Sequence, residues 1–155
     1  MKVAIGQDSH KFDFKNENNK RLILAGIIFE GETPLLANSD GDVVLHAVTN
    51  AISGITTKNI LGEVTGKLLK KGVTDSKIYL KKALKFLDSK IIHVSISIEC
   101  KYPKISPHIN EMRRSLSSLL GIEETSIGIT ATSGEGLTEF GKGNGINVFA
   151  CLTVE

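Results

Sequence analysis

The stretch Ala37-Asn38-Ser39-Asp40-Gly41-Asp42-Val43-Val44-Leu45-His46-Ala47 marks the start of a central helix. Ser39 is followed three residues later by Asp42, which predicts a capping box with a carboxylate in place of the usual glutamate. The apolar positions that follow continue to Gly54, a residue typical of a helix end. We therefore predict a helix over about residues 40–53, roughly four turns long, whose N-terminus suits a phosphate.

His46 lies on the second turn of this predicted helix. Taken alone, the stretch favours a core histidine whose ring nitrogens have hydrogen-bond partners over a metal ligand. A second stretch, Gly6-Gln7-Asp8-Ser9-His10, follows the apolar start of a predicted strand, and it changes that balance. Asp8 and His10 are two residues apart in extended chain and point to the same face. With His46 they supply three ligands of the kind that catalytic zinc uses while it keeps a fourth position open.

Length and composition fit one globular domain: 155 residues, 41% of them hydrophobic and 23% charged. A net charge of +2 argues against a dedicated nucleic-acid binder. No apolar run approaches the roughly 18 residues of a membrane span, and the chain begins in a strand without a secretory leader. These features predict a cytoplasmic protein with no membrane partner. Cys100 and Cys151 lie in strand-like runs and are expected to be reduced thiols, although they could pair.

Hydrophobic periodicity predicts further helices. Thr74 or Asp75 caps a helix that extends to about Ser89, and Ser106 caps another that has Pro107 at its first position and ends at Gly121. Between these helices and the first one, the segment 59–72 contains three glycines and little periodicity. We predict that this segment is a mobile part of the surface.

Alternating apolar residues predict strands over 92–100, 127–131 and 146–154, and Gly26 divides the run 22–29 into two short strands or a bulge. Strands and helices interleave with no internal repeat and no linker. This order indicates an α+β or α/β domain, and the pattern does not settle the topology.

The two ligand-bearing stretches resemble the 2-C-methyl-D-erythritol 2,4-cyclodiphosphate synthase family. Similar motifs recur, in the family's order, at Tyr102-Pro103-Lys104-Ile105-Ser106-Pro107-His108-Ile109, at Ala131–Glu135 and at Gly141–Ile146. The resemblance implies an α+β, ferredoxin-like single domain over residues 1–155, assembled as a homotrimer with active sites between subunits. It also implies a phosphorus–oxygen lyase that converts 4-diphosphocytidyl-2-C-methyl-D-erythritol 2-phosphate to the 2,4-cyclodiphosphate and releases CMP.

The resemblance further implies two metal ions. Zn²⁺ would be held by Asp8, His10 and His46, and Mg²⁺ or Mn²⁺ by Glu135. Spacing alone would leave Glu135 a solvated loop glutamate, although a carboxylate beside phosphates suits Mg²⁺. Ser133 occupies the position of a family threonine that contacts the transferring phosphate, so Asn38 and Ser133 are the implied catalytic side chains.

The implied substrate contacts include the loop 100–106, which matches the family segment that holds the cytosine base by main-chain contacts. Lys104 is either a phosphate contact or an exposed lysine, whereas His108 and His93 are expected to be structural. The full set of expected contacts is Asp8, Ser9, His10, Asn38, Ser39, Asn59, Leu61, Cys100, Lys101, Tyr102, Pro103, Lys104, Ile105, Ser106, Thr132, Ser133, Gly134, Glu135 and Lys142.

The chain departs from the family pattern at several positions. Asn38 replaces a histidine that polarises a phosphate, and asparagine cannot carry positive charge. Asn59 replaces a ribose-binding aspartate, while Lys142 and Asn144 replace an arginine and its acidic partner, which lie near an apolar cavity on the trimer axis. The change at Asn38 and the altered residues 59–73, which lack the family's acidic loop, favour an alternative hypothesis, a divergent, weakly active or inactive homologue that acts as a metal- and nucleotide-binding assembly module. A metal-free interaction domain is a third hypothesis, and the metal-ligand set argues against it.

Overall fold

The computed structural model describes residues 1–155 as an α+β fold in which helices cover one face of a four-stranded sheet. The strands are β1 (Lys2–Lys11), β2 (Leu22–Leu24), β3 (Ile27–Phe29), β4 (Ile91–Glu99), β5 (Ile127–Thr132) and β6 (Gly145–Val154). The α-helices are α1 (Val43–Thr56), α2 (Thr65–Lys70), α3 (Ser76–Lys85) and α4 (Ile109–Leu120). A π-helical turn (Ile60–Val64) directly precedes α2, and short 3₁₀ turns occupy Ser106–His108, Glu124–Ser126 and Gly134–Gly136. None of the helices combines the length and the apolar character that a membrane crossing requires.

The main sheet has the strand order β1-β6-β4-β5, and β2 and β3 form a separate hairpin. Only β4 and β5 run parallel, and α4 makes the crossover that parallel strands need. The main-sheet strands and their helices therefore follow the order βαβαββ. A ferredoxin-like domain has the order βαββαβ. The expectation of an α+β fold is confirmed, and its ferredoxin-like detail is wrong.

The contact between β1 and α1 fixes the part of the fold that carries the predicted ligands. Alternate residues of β4 and β6 bury their apolar side chains beneath the helices, as the alternating pattern predicted. On β1 the helix comes much closer, because a Cβ atom at Gly6 would lie 2.0 Å from the carbonyl oxygen of Ala47 and 2.2 Å from the amide nitrogen of Ala51. Only a residue without a side chain allows this backbone-to-backbone contact.

The opposite face of the main sheet carries no helix. Val3, Ile5 and Phe149 belong to this face, and they are 60%, 68% and 44% exposed. Cys151 pairs with Ile5 on the same face, and both cysteines are free thiols, as predicted. Neighbouring apolar residues on adjacent strands leave a surface that one copy of the chain does not cover.

The start of α1 differs from the predicted capping box. Asp42 is the N-cap, and its carboxylate accepts hydrogen bonds from the amides of Leu45 (3.0 Å), Ala25 (2.9 Å) and Gly26 (2.7 Å). Ser39 instead accepts from the amide of Gly41. The helix thus begins at Val43 and continues past Gly54 to Thr56. The buried Asp42 carboxylate already accepts the Leu45 amide at this helix start, and the phosphate site there stays a prediction.

The segment 59–72, predicted to be a mobile part of the surface, does lie mostly at the surface, but residues 60–70 are helical, which the sequence did not predict. Asn59 accepts from the amide of Gly62 and starts the π-helical turn, which leads into α2. Ile60 is fully buried and Thr65 is 5% exposed. Two buried residues therefore anchor a segment whose glycines conceal its periodicity.

The other element ends agree in part with the predictions. Asp75 caps α3 as expected, but the helix ends at Lys85, four residues early. Ser106 makes no capping hydrogen bond, because its 3₁₀ turn comes before α4, whereas Gly121 ends that helix with a φ of 68°. On β4 a bulge between Ile91 and His93 buries Ile91 in place of Ile92.

Candidate active site

The predicted metal ligands meet at the end of β1. The Oδ2 atom of Asp8 lies 2.9 Å from Nε2 of His10 and 3.0 Å from Nδ1 of His46, and these two nitrogens are 3.4 Å apart. Alternation along β1 directs Asp8 and His10 toward α1, which supplies His46 from its second turn. One oxygen and two nitrogens therefore face a common point from two rigid elements.

The remaining ring nitrogens already have partners. Nδ1 of His10 lies 3.1 Å from the carbonyl oxygen of Leu36, and Nε2 of His46 lies 2.8 Å from Oγ of Ser76. When the outer nitrogen of each ring donates its hydrogen outward, the inner nitrogen presents a lone pair to the shared point. This donor set fits a three-ligand Zn²⁺ centre with an open position.

The charges within the triad shift two pKa values. Burial alone would raise the pKa of Asp8, but hydrogen bonds from His10 and His46 and the charges of both rings outweigh it and lower the pKa to about 2. The hydrogen bond to Asp8 raises the pKa of His10 above its ordinary value of 6.5, against the opposing effect of burial. Asp8 is thus an anion at every physiological pH, as a metal ligand must be.

A pocket of about 230 Å³ opens onto the triad. Of the other expected substrate contacts, Asn38, Ser39 and Leu61 line it. The side chain of Asn59 does not, because its oxygen caps the π-helical turn. Ser9 points to the other side of β1 and lines a separate cavity of about 690 Å³. Four further residues line the triad pocket and were not among the expected contacts: Ala37, Thr65, Leu69 and Tyr79.

Most of the expected nucleotide loop lines a second pocket, of about 180 Å³, at the β4–β5 side of the sheet. The lining residues are Cys100, Lys101, Pro103, Lys104, Ile105, Ser106, Ala131, Thr132 and Ser133. Tyr102 is not among them; it is 53% exposed, and the Lys101 ammonium lies 5.4 Å from its ring centre. Burial raises the pKa of the Cys100 thiol to about 11, so this side chain stays neutral and donates to the carbonyl of Pro103.

Glu135 lies at the tip of the turn after β5, with a φ of 53° between two glycines that also have positive φ. Its side chain is exposed, and only the Asp8–His10–His46 cluster groups three metal-ligand side chains. Glu135 thus belongs to no such group, and it follows Ser133, a lining residue of the second pocket, by two positions. Such an arrangement fits Mg²⁺, which keeps several waters and binds phosphates with few protein ligands.

Lys142 retains an acidic partner, contrary to the expectation from Asn144. Glu139 lies 3.2 Å from the Lys142 ammonium and accepts a hydrogen bond of 2.6 Å from the Asn144 amide. Glu139 supplies this acidic partner because the turn that ends at Gly145 brings Glu139, Lys142 and Asn144 together. The sequence offered no spacing rule that identifies the Glu139–Lys142 pair.

The loop that presents Asn38 is held by a lysine that the sequence analysis did not single out. Nζ of Lys20 donates to the carbonyl oxygens of Ala37 (2.9 Å) and Ser39 (3.1 Å), one on each side of Asn38. Asn38 itself is exposed at the triad pocket. Lys20 thus fixes the backbone on both sides of an open polar side chain.

The fold and the site define an α+β protein with a group of three potential metal ligands in a cleft. The model of the YgbB family matches residues 1–155. A 2-C-methyl-D-erythritol 2,4-cyclodiphosphate synthase from Chlamydia caviae is 51% identical over 99% of this chain and 88% of its own length. The chain belongs to the YgbB family, that of the 2-C-methyl-D-erythritol 2,4-cyclodiphosphate synthases, and the resemblance seen in the sequence is confirmed.

Solved structures agree with this assignment. A structure of 2C-methyl-D-erythritol-2,4-cyclodiphosphate synthase aligns with a TM-score of 0.87 at 26% identity, over 99% of this chain and all of the other. A Plasmodium falciparum protein described as an IspF CDP complex aligns with a TM-score of 0.82, also at 26% identity, over 98% of this chain and 94% of the other.

Proposed function

We propose that the chain converts 4-diphosphocytidyl-2-C-methyl-D-erythritol 2-phosphate to 2-C-methyl-D-erythritol 2,4-cyclodiphosphate with release of CMP. The family assignment supports this reaction, and the single observation that carries it is the assembled triad of Asp8, His10 and His46 at a pocket. No finding favours the alternative of an inactive assembly module. The metal-free interaction domain has no support either, because the donor set is complete.

In the proposed reaction an oxygen of the 2-phosphate attacks the β-phosphorus. A new phosphorus–oxygen bond closes the ring, the bond from the β-phosphorus to the bridging oxygen breaks, and CMP leaves with that oxygen. The nucleophile is already an anion, so no general base is required. The task of the protein is positioning and neutralisation of charge.

Side chains in both pockets can contact the phosphates. Asn38 lines the triad pocket and can donate an amide hydrogen to a phosphate oxygen, and Ser133 lines the other pocket and can donate its hydroxyl hydrogen. The loop around Pro103 would hold the cytosine base, in line with the CDP complex of the Plasmodium falciparum relative. The metal ions, when bound, would polarise phosphate oxygens as Lewis acids.

The ligand types support Zn²⁺ at the triad, because two imidazoles and one carboxylate suit a borderline-soft ion. The single carboxylate of Glu135 supports Mg²⁺ or Mn²⁺, which would be completed by water and substrate phosphates. The unpaired thiols of Cys100 and Cys151 fit a reducing, cytoplasmic location.

The positions of the two pockets support a homotrimer with shared active sites. Both lie at the same end of the sheet, but the triad is on β1 at one edge and Ser133 follows β5 at the other, so strand spacing separates them by about 14 Å. The apolar free face with Val3 and Ile5 offers a surface on which copies of the chain can pack. In such an assembly the triad of one subunit would meet the Glu135 turn of the next.

Two experiments test the proposal. Purified protein with Zn²⁺ and Mg²⁺ should release CMP from the cytidyl substrate, and His46→Ala should lose this activity; substrate that stays intact with the wild-type protein would contradict the reaction. Mixing and reassembling His46→Ala with Glu135→Ala should restore part of the activity if neighbouring subunits share sites. No recovery in verified mixed trimers would place each active site within one chain.

A further inference from the structure

Two residues outside the triad, Ser76 and Asp40, form the hydrogen bonds that lead away from the outer nitrogen, Nε2, of His46. Ser76, the first residue of α3, is fully buried, and its Oγ atom lies 2.8 Å from Nε2 of His46. The same hydroxyl makes a short hydrogen bond to Oδ1 of Asp40, and the Ser76 amide donates to Oδ2 of Asp40 at 3.0 Å. Asp40, Ser76 and His46 therefore form one continuous chain of hydrogen bonds.

The chemistry of these groups determines which atom donates in each of these hydrogen bonds. The carboxylate of Asp40 has only lone pairs to offer, so the hydroxyl of Ser76 must donate its hydrogen to it. The Ser76 oxygen is then left with lone pairs toward His46, and Nε2 of His46 must carry the hydrogen. The neutral imidazole consequently has its lone pair on Nδ1, the atom that lies 3.0 Å from Asp8.

We propose that Asp40 and Ser76 are positioning residues that hold His46 as an Nδ1 metal ligand. This inference rests on the metal-binding part of the proposed function and adds to it the residues that set the ligand's tautomer and ring orientation. Outer partners of metal-bound histidines typically change metal affinity by roughly 10- to 100-fold when removed. The other nearby hydroxyl, that of Ser39, lies 3.5 Å from the same nitrogen and accepts from the amide of Gly41, so it is the weaker partner.

The substitution Asp40→Asn tests the donor–acceptor order of these hydrogen bonds and changes the shape of the side chain little. Both oxygens of Asp40 accept hydrogen bonds: Oδ2 from the Ser76 amide, and Oδ1 from the Asp42 amide (3.1 Å) and the Ser76 hydroxyl. An amide nitrogen at either position would therefore face another donor, which is unfavourable. At the Oδ2 position the amide nitrogen opposes the Ser76 N–H, whereas with the amide nitrogen at the Oδ1 position the Ser76 hydroxyl loses its acceptor and can donate to Nε2 of His46. That reversal would move the hydrogen to Nδ1, where it opposes metal binding.

A matched control is available one residue before Ser76. Asp75 is the N-cap of α3, and its carboxylate accepts from the amide of Lys77 at 2.9 Å without contacting His46. Asp75→Asn therefore perturbs the same helix start and removes the same charge. A purely structural role of the α3 start would make Asp75→Asn and Asp40→Asn equivalent.

The measurement is the affinity for Zn²⁺ alone, from competition with a chromophoric chelator after the protein has been stripped of metal. We expect Asp40→Asn and Ser76→Ala to weaken Zn²⁺ binding by about 10- to 100-fold, and Asp75→Asn to leave it within about two-fold. Nitrogen-15 NMR of the metal-free protein at high pH should show His46 with its hydrogen on Nε2 in the wild type and Asp75→Asn, and a shift toward Nδ1 in Asp40→Asn.

Unchanged affinity in folded Asp40→Asn would overturn the proposal, as would an equal loss in Asp75→Asn or a wild-type His46 with its hydrogen on Nδ1. If Ser76→Ala does not fold, Asp40→Asn and the NMR measurement still decide. A wild-type protein that binds no Zn²⁺ would instead refute the metal assignment itself. The two failures are therefore distinguishable.

Discussion

The Oδ2 atom of Asp8 lies 3.0 Å from Nδ1 of His46, although the two residues are 38 positions apart in the chain. The same oxygen lies 2.9 Å from Nε2 of His10, so one carboxylate oxygen faces an inner nitrogen of both rings. The two rigid elements that carry these residues thus bring the three ligand atoms together through the fold itself.

The first prediction concerns metal content. The wild-type protein should bind about one Zn²⁺ per chain, and His46→Ala should abolish tight binding because two ligands rarely retain zinc. Metal analysis after dialysis measures the content. His108→Ala is the matched control, since this histidine packs against Phe29, with 4.3 Å between ring centres. Stoichiometric zinc in His46→Ala would show that the triad is not the site.

The second prediction concerns Asn38. Asn38→His should raise kcat for CMP release several-fold, because a histidine can donate from a fixed ring and, when protonated, adds positive charge at the triad pocket. Zinc content should stay the same. Values of kcat and KM for both proteins provide the measurement. An unchanged or lowered kcat would mean that asparagine is adapted to this site.

The third prediction concerns the loop that carries Asn38. Lys20→Ala should lower kcat/KM by roughly ten-fold, because the loss of two charge-assisted hydrogen bonds, to Ala37 and Ser39, frees that loop. Zinc affinity should change little. Arg21→Ala is the control, since its guanidinium contacts only the exposed Glu30. Equal losses in both variants would point to a general effect of positive charge.

The fourth prediction concerns pH. Burial, partly offset by amide hydrogen bonds from Leu45 and Gly26, raises the pKa of Asp42 from 3.8 to about 6 in the folded chain. The folded state therefore holds this proton more tightly than the unfolded state between these values, and the titration of Asp42 lowers stability as pH rises from about 4 to 6. This rise in the pKa of Asp42 corresponds to a change of at most about 3 kcal/mol in the free energy of unfolding.

Urea unfolding of the wild type and Asp42→Asn at several pH values from 4 to 7 tests this sign. The free energy of unfolding of the wild type, minus that of the variant, should decrease as pH rises. Titration of all other groups cancels in this difference. A difference that is flat or increases with pH would contradict the raised pKa.

The fifth prediction concerns assembly. Ile5→Asp should convert a trimer into smaller species, because it places a charge on the free apolar face, where Ile5 is 68% exposed in one copy of the chain. Ile28→Asp is the control, since Ile28 is 43% exposed on the β2–β3 hairpin. Light scattering measures the mass. A monomeric wild type would remove the basis for a shared site.

The sequence predicted the metal triad because period-two spacing in β1 and a motif on α1 are local signals that the fold then brings together. It could not predict the partners of the triad. Ser76 follows an evident helix cap, but nothing in its neighbours indicates that it is fully buried against His46. Lys20 contacts residues 17 and 19 positions away. Such contacts depend on tertiary packing and have no periodicity.

The sequence also predicted the order and type of most elements, and it failed where two signals competed. At the start of α1 both Ser39 and Asp42 are good caps, and the buried amides of the β2–β3 hairpin select the carboxylate of Asp42. In the segment 59–72, low helix propensity at Gly62 and Gly66 hid a helix that is fixed by the burial of Ile60.

The contact at Gly6 makes the metal centre sensitive to a position that touches no ligand. Because the backbones of β1 and α1 meet there directly, the spacing between the strand that carries Asp8 and the helix that carries His46 has no adjustable side chain in it. Even an alanine at Gly6 would push α1 outward and open the triad. A lineage of this protein could thus lose the geometry of the triad through one methyl group, with Asp8, His10 and His46 unchanged in its sequence, so an intact ligand motif is not sufficient evidence of an intact site.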